Sequence, residues 1–284
     1  MIKAFCPGHI TCFFAPVITD NMMTSGSVGA GIRLNKGVTV TLEERIGNRI
    51  RTIMDGKECD AKISASAVKR LAPGRGFDIV IENDLPVSQG MGTSAAGAIA
   101  SGLCVSSLIG IGEHDAYKAA HIAEVENGGG LGDVAGIIGG CQTIRVKAGL
   151  PPFGRTIDTG ISMKLTVAVL GREMNTKHIL SDTGMMERIT KAGMRCVSDY
   201  SAAQSEKVLY ELSSEFSRSI GLETDRIKNA LSLLRKEHRA SMCMLGNSIF
   251  TDASEERTRE LLGDDALLIK CSTGSEGPMI IRKA

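Results

Sequence analysis

The chain has 284 residues, 43% of them hydrophobic and 23% charged, which suits a soluble globular protein of one large or two modest domains. Its 33 basic and 32 acidic residues leave a formal net charge of +1, and it has no Trp and only 4% aromatic residues. Neither a polybasic face nor base-stacking platforms are to be expected, which argues against nucleic acid as the main partner. The longest apolar segment, residues 95–111, contains Gly97, Ser101, Gly102, Ser106, Ser107 and Gly110 and lacks the hydrophobicity of a spanning helix. Pro7, Gly8 and His9 interrupt the N-terminus where a leader peptide would need its apolar core. These features predict a cytoplasmic protein with no membrane partner. None of the eight cysteines forms a Cys-x-x-Cys pair, so buried thiols in a reducing compartment are expected and a structural zinc site is not.

In chain order, residues 1–6 read as a short strand broken by Cys6-Pro7-Gly8-His9. Residues 26–31 are glycine-rich. Residues 38–44 alternate as a strand, with residues 49–54 as the hairpin partner across Ile46-Gly47-Asn48. Residues 63–71 predict a short helix ended by Pro73-Gly74, and residues 77–81 a strand. Helices are expected over 94–111 and 113–126, the second stopped by Asn127-Gly128-Gly129-Gly130. Gly139-Gly140 precedes a strand at 141–146, and Pro151-Pro152 marks a boundary. This gives an expected division into residues 1–155 and 156–284. Beyond the boundary, 165–170 reads as a strand, 175–180, 185–220 and 223–238 as helices, and 242–250 and 266–271 as a return to the sheet. Strands and helices mix without strict alternation, so the fold class predicted is α+β.

Residues 85–98, Leu-Pro-Val-Ser-Gln-Gly-Met-Gly-Thr-Ser-Ala-Ala-Gly-Ala, run from a glycine-rich turn straight into a helix. Gly90 and Gly92 are expected where backbone approaches a ligand closely, and Thr93 and Ser94 put hydroxyls and free N–H groups at the helix start. Orphan donors and the helix dipole together make an anion site, and a triphosphate is the anion that suits it. There is no Walker-type Lys, so the phosphate charge must be met by the dipole, a metal and residues from elsewhere.

Glu124 and Asp133 lie on either side of the glycine run and can converge from different elements. Phosphoryl transfer needs such a pair: one carboxylate holds Mg²⁺ with a hydroxyl such as Ser94, the other orients or deprotonates the attacking hydroxyl. Taken singly, Glu124 also suits a solvated helix face and Asp133 a helix cap. Arg145 offers a bidentate fork for a substrate carboxylate, or a surface charge on an edge strand. His9 is a candidate hydrogen-bond donor to substrate or phosphate.

The segment Pro86 to Ala95 resembles the Pro-x-x-x-Gly-Leu-Gly-Ser-Ser-Ala phosphate loop of the GHMP kinase superfamily, with Met91 for Leu and Thr93 for the first Ser. The superfamily's N-terminal Ala-Pro-Gly-Lys is represented by Cys6-Pro7-Gly8-His9, without the Lys, and its C-terminal glycine-rich turn by residues 272–277. Within the superfamily the chain is most similar to the archaeal pantoate kinases, through residues 7–14, 26–31, 123–127 and 130–133. The resemblance implies a ribosomal protein S5 domain 2-like N-terminal domain and a C-terminal α+β domain with ATP between them. It implies Pro86, Gly90, Met91, Gly92, Thr93, Ser94 and Ala95 around the nucleotide, Ser94 and Glu124 on Mg-ATP, and Asp133 in catalysis. It further implies Arg145, with Ser27 and His9 as neighbours, on the acceptor pantoate, whose phosphorylation serves coenzyme A synthesis. Shikimate or homoserine as acceptor, and a nucleotide-binding regulator without turnover, are the alternatives; a homodimer is left open.

Overall fold

The structure, a computed structural model, describes residues 1–172 and 182–283. The chain opens with two long antiparallel strands, β1 (Ile2–Val17) and β2 (Gly26–Arg45), followed by β3 (Ile50–Met54), β4 (Lys57–Cys59), helix α1 (Lys62–Leu71) and β5 (Gly76–Asn83). Helices α2 (Thr93–Ile109), α3 (Glu113–Asn127) and α4 (Asp133–Gly139) come next, then β6 (Gln142–Lys147), β7 (Arg155–Asp158) and β8 (Lys164–Val169). The remainder is α5 (Thr183–Ala202), α6 (Glu206–Ile220), α7 (Asp225–Leu234), β9 (Ala240–Met242), β10 (Ser248–Thr251), α8 (Glu255–Leu262), β11 (Leu267–Ser272) and β12 (Met279–Lys283). The content is α+β, as the sequence predicts.

The first sheet runs β12-β1-β2-β5-β3-β4, with β6 paired to the N-terminal half of β2 and β7 paired to β6. The second is the antiparallel β11-β8-β10-β9. Two cores result, and the β1–β2 hairpin passes through both. Ile2, Ala4 and Cys6 pack with Val38, Val40 and the helices α1 to α3, whereas Ile10, Phe13 and Phe14 pack with α5, α6 and the second sheet. Small side chains let α2 nest into the first core: a Cβ on Gly102 would sit 3.2 Å from Ala116 of α3.

Several local expectations give way to long-range pairing. Pro7-Gly8-His9 does not end β1. The strand continues to Val17 and absorbs Pro7, which has no N–H to donate, in a register shift between Pro7 and His9. Residues 49–54 form a strand that does not pair with β2. β5 lies between them, antiparallel to β2 and parallel to β3, so the apparent hairpin is an open turn. Residues 185–220 are two helices, because Ser205 caps α6 by accepting from Val208 N. Residues 242–250 are two short strands joined by a turn. The helix expected at 175–180 lies outside the described residues. Strand β12 returns from the C-terminus to pair with β1. No helix among the described residues is long and apolar enough to cross a membrane.

Candidate functional site

Where β1 crosses from one core to the other, the phosphate loop lies against it. His9 N donates to Met91 O at 3.0 Å, and a Cβ on Gly8 would lie 2.9 Å from that same carbonyl. Gly90 and Gly92 have φ of +74° and +62°, conformations that favour glycine. Packing within the protein also keeps both small. A Cβ on Gly90 would sit 2.7 Å from Met244 O, and one on Gly92 3.1 Å from His9 O, so the tight approach is to protein backbone. The loop delivers the chain to the start of α2, with Gly92 as N-cap, Thr93 buried and Ser94 exposed.

A cavity of about 870 Å³ opens here. Gly90, Met91, Gly92, Thr93 and Ser94 line one side, the 128–132 glycine run with Glu124 and Asp133 another, and Thr11, Phe14 and Ser27 a third. Pro86 and Ala95 are not among its lining residues; Ala95 is fully buried in the first core. Apolar Met54, Ile63, Ile81 and Val87, which sequence reasoning missed, form a wall that only the fold assembles.

Asp133 is the best-connected group. Its Oδ1 accepts from Thr11 Oγ1 at 3.1 Å and is 2.8 Å from His9 Nδ1. Burial alone would raise its pKa; the His9 and Thr11 hydrogen bonds and the nearby Arg145 charge more than offset this and hold the carboxyl below the ordinary aspartate value. Burial drives the His9 pKa down, and its hydrogen bond to Asp133 and the charge of that carboxylate oppose the shift. Gly31 and Gly136 clasp the His9 ring, and either Cβ would collide with Nε2. His9 therefore lies behind Asp133 and is not among the residues lining the cavity. Asp133 is the first residue of α4, with Gly132 as its N-cap, so it does not itself cap the helix.

Glu124 is 1% exposed, which excludes a solvated helix face. Burial and the Asp133 charge push its carboxyl well above the usual range, and hydrogen bonds from the Val134 and Gly130 backbone offset this only in part. Its Oε1 is buried with no hydrogen-bond partner among the described residues. The two carboxylates are thus separated in pKa by their surroundings, the pattern expected of groups with different tasks. No cluster of three His, Cys, Asp or Glu residues able to hold a metal occurs among the described residues. An orphaned Glu oxygen and a cavity-facing Ser94 hydroxyl instead suit Mg²⁺, a hard cation that takes one or two protein oxygens and completes its shell with phosphate and water.

Arg145 is 1% exposed, which excludes a surface charge. Its Nε, Nη1 and Nη2 are all buried without a hydrogen-bond partner among the described residues. Gly132 stands against it, where a Cβ would lie 2.7 Å from Nε and collide with Ser27 Oγ. Arg145 and Ser27 are thereby brought together beside Asp133, with Ser27 on the cavity wall and Arg145 just behind it. The residues 272–277 do not reach the cavity. Their turn docks on β2, where Arg33 Nε and Nη2 donate to the carbonyls of Gly274 and Ser275 and Gly274 N donates to Arg33 O. The segment that does close on the phosphate loop is the β9–β10 turn, whose Met244 and Leu245 line the cavity.

The family model for the GHMP kinases N terminal domain matches residues 61–140, from α1 through the phosphate loop to Asp133 and α4. The pantoate kinase of Thermococcus kodakarensis is 32% identical over 93% of this chain and 92% of its own length, and that of Methanospirillum hungatei 30% identical over 99% and 96%. A solved phosphotransferase related to the CoA biosynthesis pathway superposes with a TM-score of 0.89 at 29% identity, covering 98% of both chains. A homoserine kinase from Cytophaga hutchinsonii, at 17% identity and a TM-score of 0.68, shares the fold. The matches to the two kinases run over nearly the whole length of all three chains, and on them the chain belongs to the pantoate kinase family of the GHMP kinase superfamily.

Proposed function

We propose that this protein transfers the γ-phosphoryl group of ATP to the primary hydroxyl of pantoate, giving 4-phosphopantoate. The observation that carries the reading is Asp133: an ionised carboxylate, fixed by His9 and Thr11, on the wall of a cavity whose other side is the N-terminus of α2. Phosphoryl transfer asks little covalent chemistry of a protein; it asks for positioning and for charge aimed at the transferring group. The loop and the first N–H groups of α2 receive the phosphates. The Met54, Ile63, Ile81 and Val87 wall receives the base. Ser94 and Glu124 would hold Mg²⁺, which neutralises phosphate charge when bound. Asp133 orients the acceptor hydroxyl and takes its proton. Ser27 and Arg145 meet the pantoate carboxylate, Arg145 after a small shift of the 128–132 backbone that screens it. Residues 1–155 then serve as the nucleotide-binding unit and residues 156–284 as the α+β unit closing the acceptor side, with β12 crossing back. Eight unpaired cysteines suit a cytoplasmic setting.

Incubation with ATP, Mg²⁺ and pantoate, shikimate, homoserine or mevalonate in turn, with products identified by phosphorus NMR, tests the assignment. Pantoate should be converted and the others poorly, since each sets its hydroxyl at a different reach from its charged group. Turnover of shikimate or homoserine with pantoate inert would overturn the acceptor and leave the kinase standing.

The metal assignment has its own test. Burial raises the Glu124 carboxyl well above the ordinary range, and Glu124→Gln keeps its size and shape while removing the charge it would offer a cation, so the thermal midpoint should stay almost unchanged. Activity should fall about 10²–10³-fold, with Ser94→Ala similar. A folded variant of either kind with near-normal turnover would remove that residue from the site.

A further inference from the structure

One buried polar side chain of the phosphate loop turns away from the cavity. Gln89 is 6% exposed, and among the described residues its side-chain bonds go to the segment just after β8 and to the β9–β10 turn. Its Oε1 accepts from Asn247 N at 3.1 Å, and its Nε2 donates to Gly171 O at 3.0 Å. Its backbone carbonyl accepts from Ser248 Oγ at 2.6 Å. Gly246 lies so close that a Cβ there would collide with the Gln89 carbonyl group, while Gly90 is pressed on the carbonyls of Cys243 and Met244. The residues at this junction include Ser88 at φ +57° and Leu245 at φ +64°, left-handed conformations that non-glycine residues keep only when their surroundings hold them. Three hydrogen bonds and one close backbone approach thus converge on Gln89, and a second close approach falls on the adjoining Gly90.

We propose that Gln89 is a positioning residue that pins the phosphate loop to the β9–β10 turn and to the end of β8. In doing so it sets the start of α2 at the place where phosphate is received. The inference rests on the nucleotide reading of the cavity and says nothing about the acceptor. The same turn carries Met244 and Leu245 into the cavity, so one contact registers two of its walls.

The test perturbs the contact from both sides. Gln89→Leu keeps the size and removes both amide bonds; Ser248→Ala removes only the hydroxyl that reaches the Gln89 carbonyl. ADP affinity is measured by calorimetry, and KM for ATP and for the acceptor by steady-state kinetics, well below the thermal midpoint. Gln89→Leu should weaken ADP binding and raise KM for ATP about tenfold, and Ser248→Ala about threefold, with KM for the acceptor at saturating ATP within about twofold. The double variant should lose less than the product of the two, because both act on one contact. If Gln89→Leu fails to fold, Ser248→Ala alone decides. ADP affinity and KM for ATP within twofold of wild type, whatever happens to the thermal midpoint, would reduce Gln89 to a structural role and overturn the proposal. Failure of the wild-type protein to bind ADP would instead overturn the nucleotide reading beneath it.

Discussion

Asp133→Asn is expected to lower kcat by about 10²–10⁴-fold while changing ADP affinity little. The substitution is nearly isosteric, and the asparagine Oδ1 can still accept from His9 and Thr11, which leaves the side chain in place. What changes is the other end. An amide nitrogen, which donates and cannot take a proton, replaces the oxygen offered to the acceptor hydroxyl. A residue that acts on the hydroxyl during transfer should show its loss in kcat and hardly in ground-state binding. Collapse of ADP affinity with kcat intact would make Asp133 a nucleotide-site or structural residue. His9→Gln, which removes the ring behind the carboxylate, should follow the same kcat pattern more weakly, because Thr11 still fixes Oδ1.

The parts of the site legible in the sequence are those set by short-range chemistry. Glycines followed by Thr93-Ser94 before a small-residue run announce a turn delivering a helix start, and α2 begins there. The glycine run between Glu124 and Asp133 frees two carboxylates to face one cavity, as both do. Gln89 and Met244 carry no comparable local signal. Each gains its place only when residues about 155 apart meet, and neither propensity nor periodicity records that meeting. The 272–277 turn shows the converse: a glycine pattern of the expected kind, used to seat Arg33 on β2. Likewise 49–54 has the composition of a hairpin partner, yet β5 takes the place beside β2 with eight paired residues and leaves β3 to pair in parallel on its far side. His9 was legible as a residue of interest but its burial was not, since that depends on Gly31 from one strand and Gly136 from a helix.

Arg145 yields the other large effect, and its sign on stability separates two explanations. A guanidinium with three buried nitrogens and no hydrogen-bond partner among the described residues is unfavourable to the folded protein, because desolvation of the charge outweighs the opposing field, chiefly that of Asp133. A purely structural arginine would instead be held by hydrogen bonds, as Arg33 is. Arg145→Met, which keeps the length and apolar packing, should therefore leave the thermal midpoint of the free protein unchanged or raised. KM for pantoate should rise about 10²–10³-fold, the loss expected for a charge-assisted bidentate pair, while KM for ATP moves little. Pantoate should raise the thermal midpoint of the wild type in proportion to its binding, and that increment should vanish in the variant. A variant of lowered midpoint that keeps wild-type KM for pantoate would return Arg145 to the structural role and leave the carboxylate to Ser27 and the 128–132 backbone.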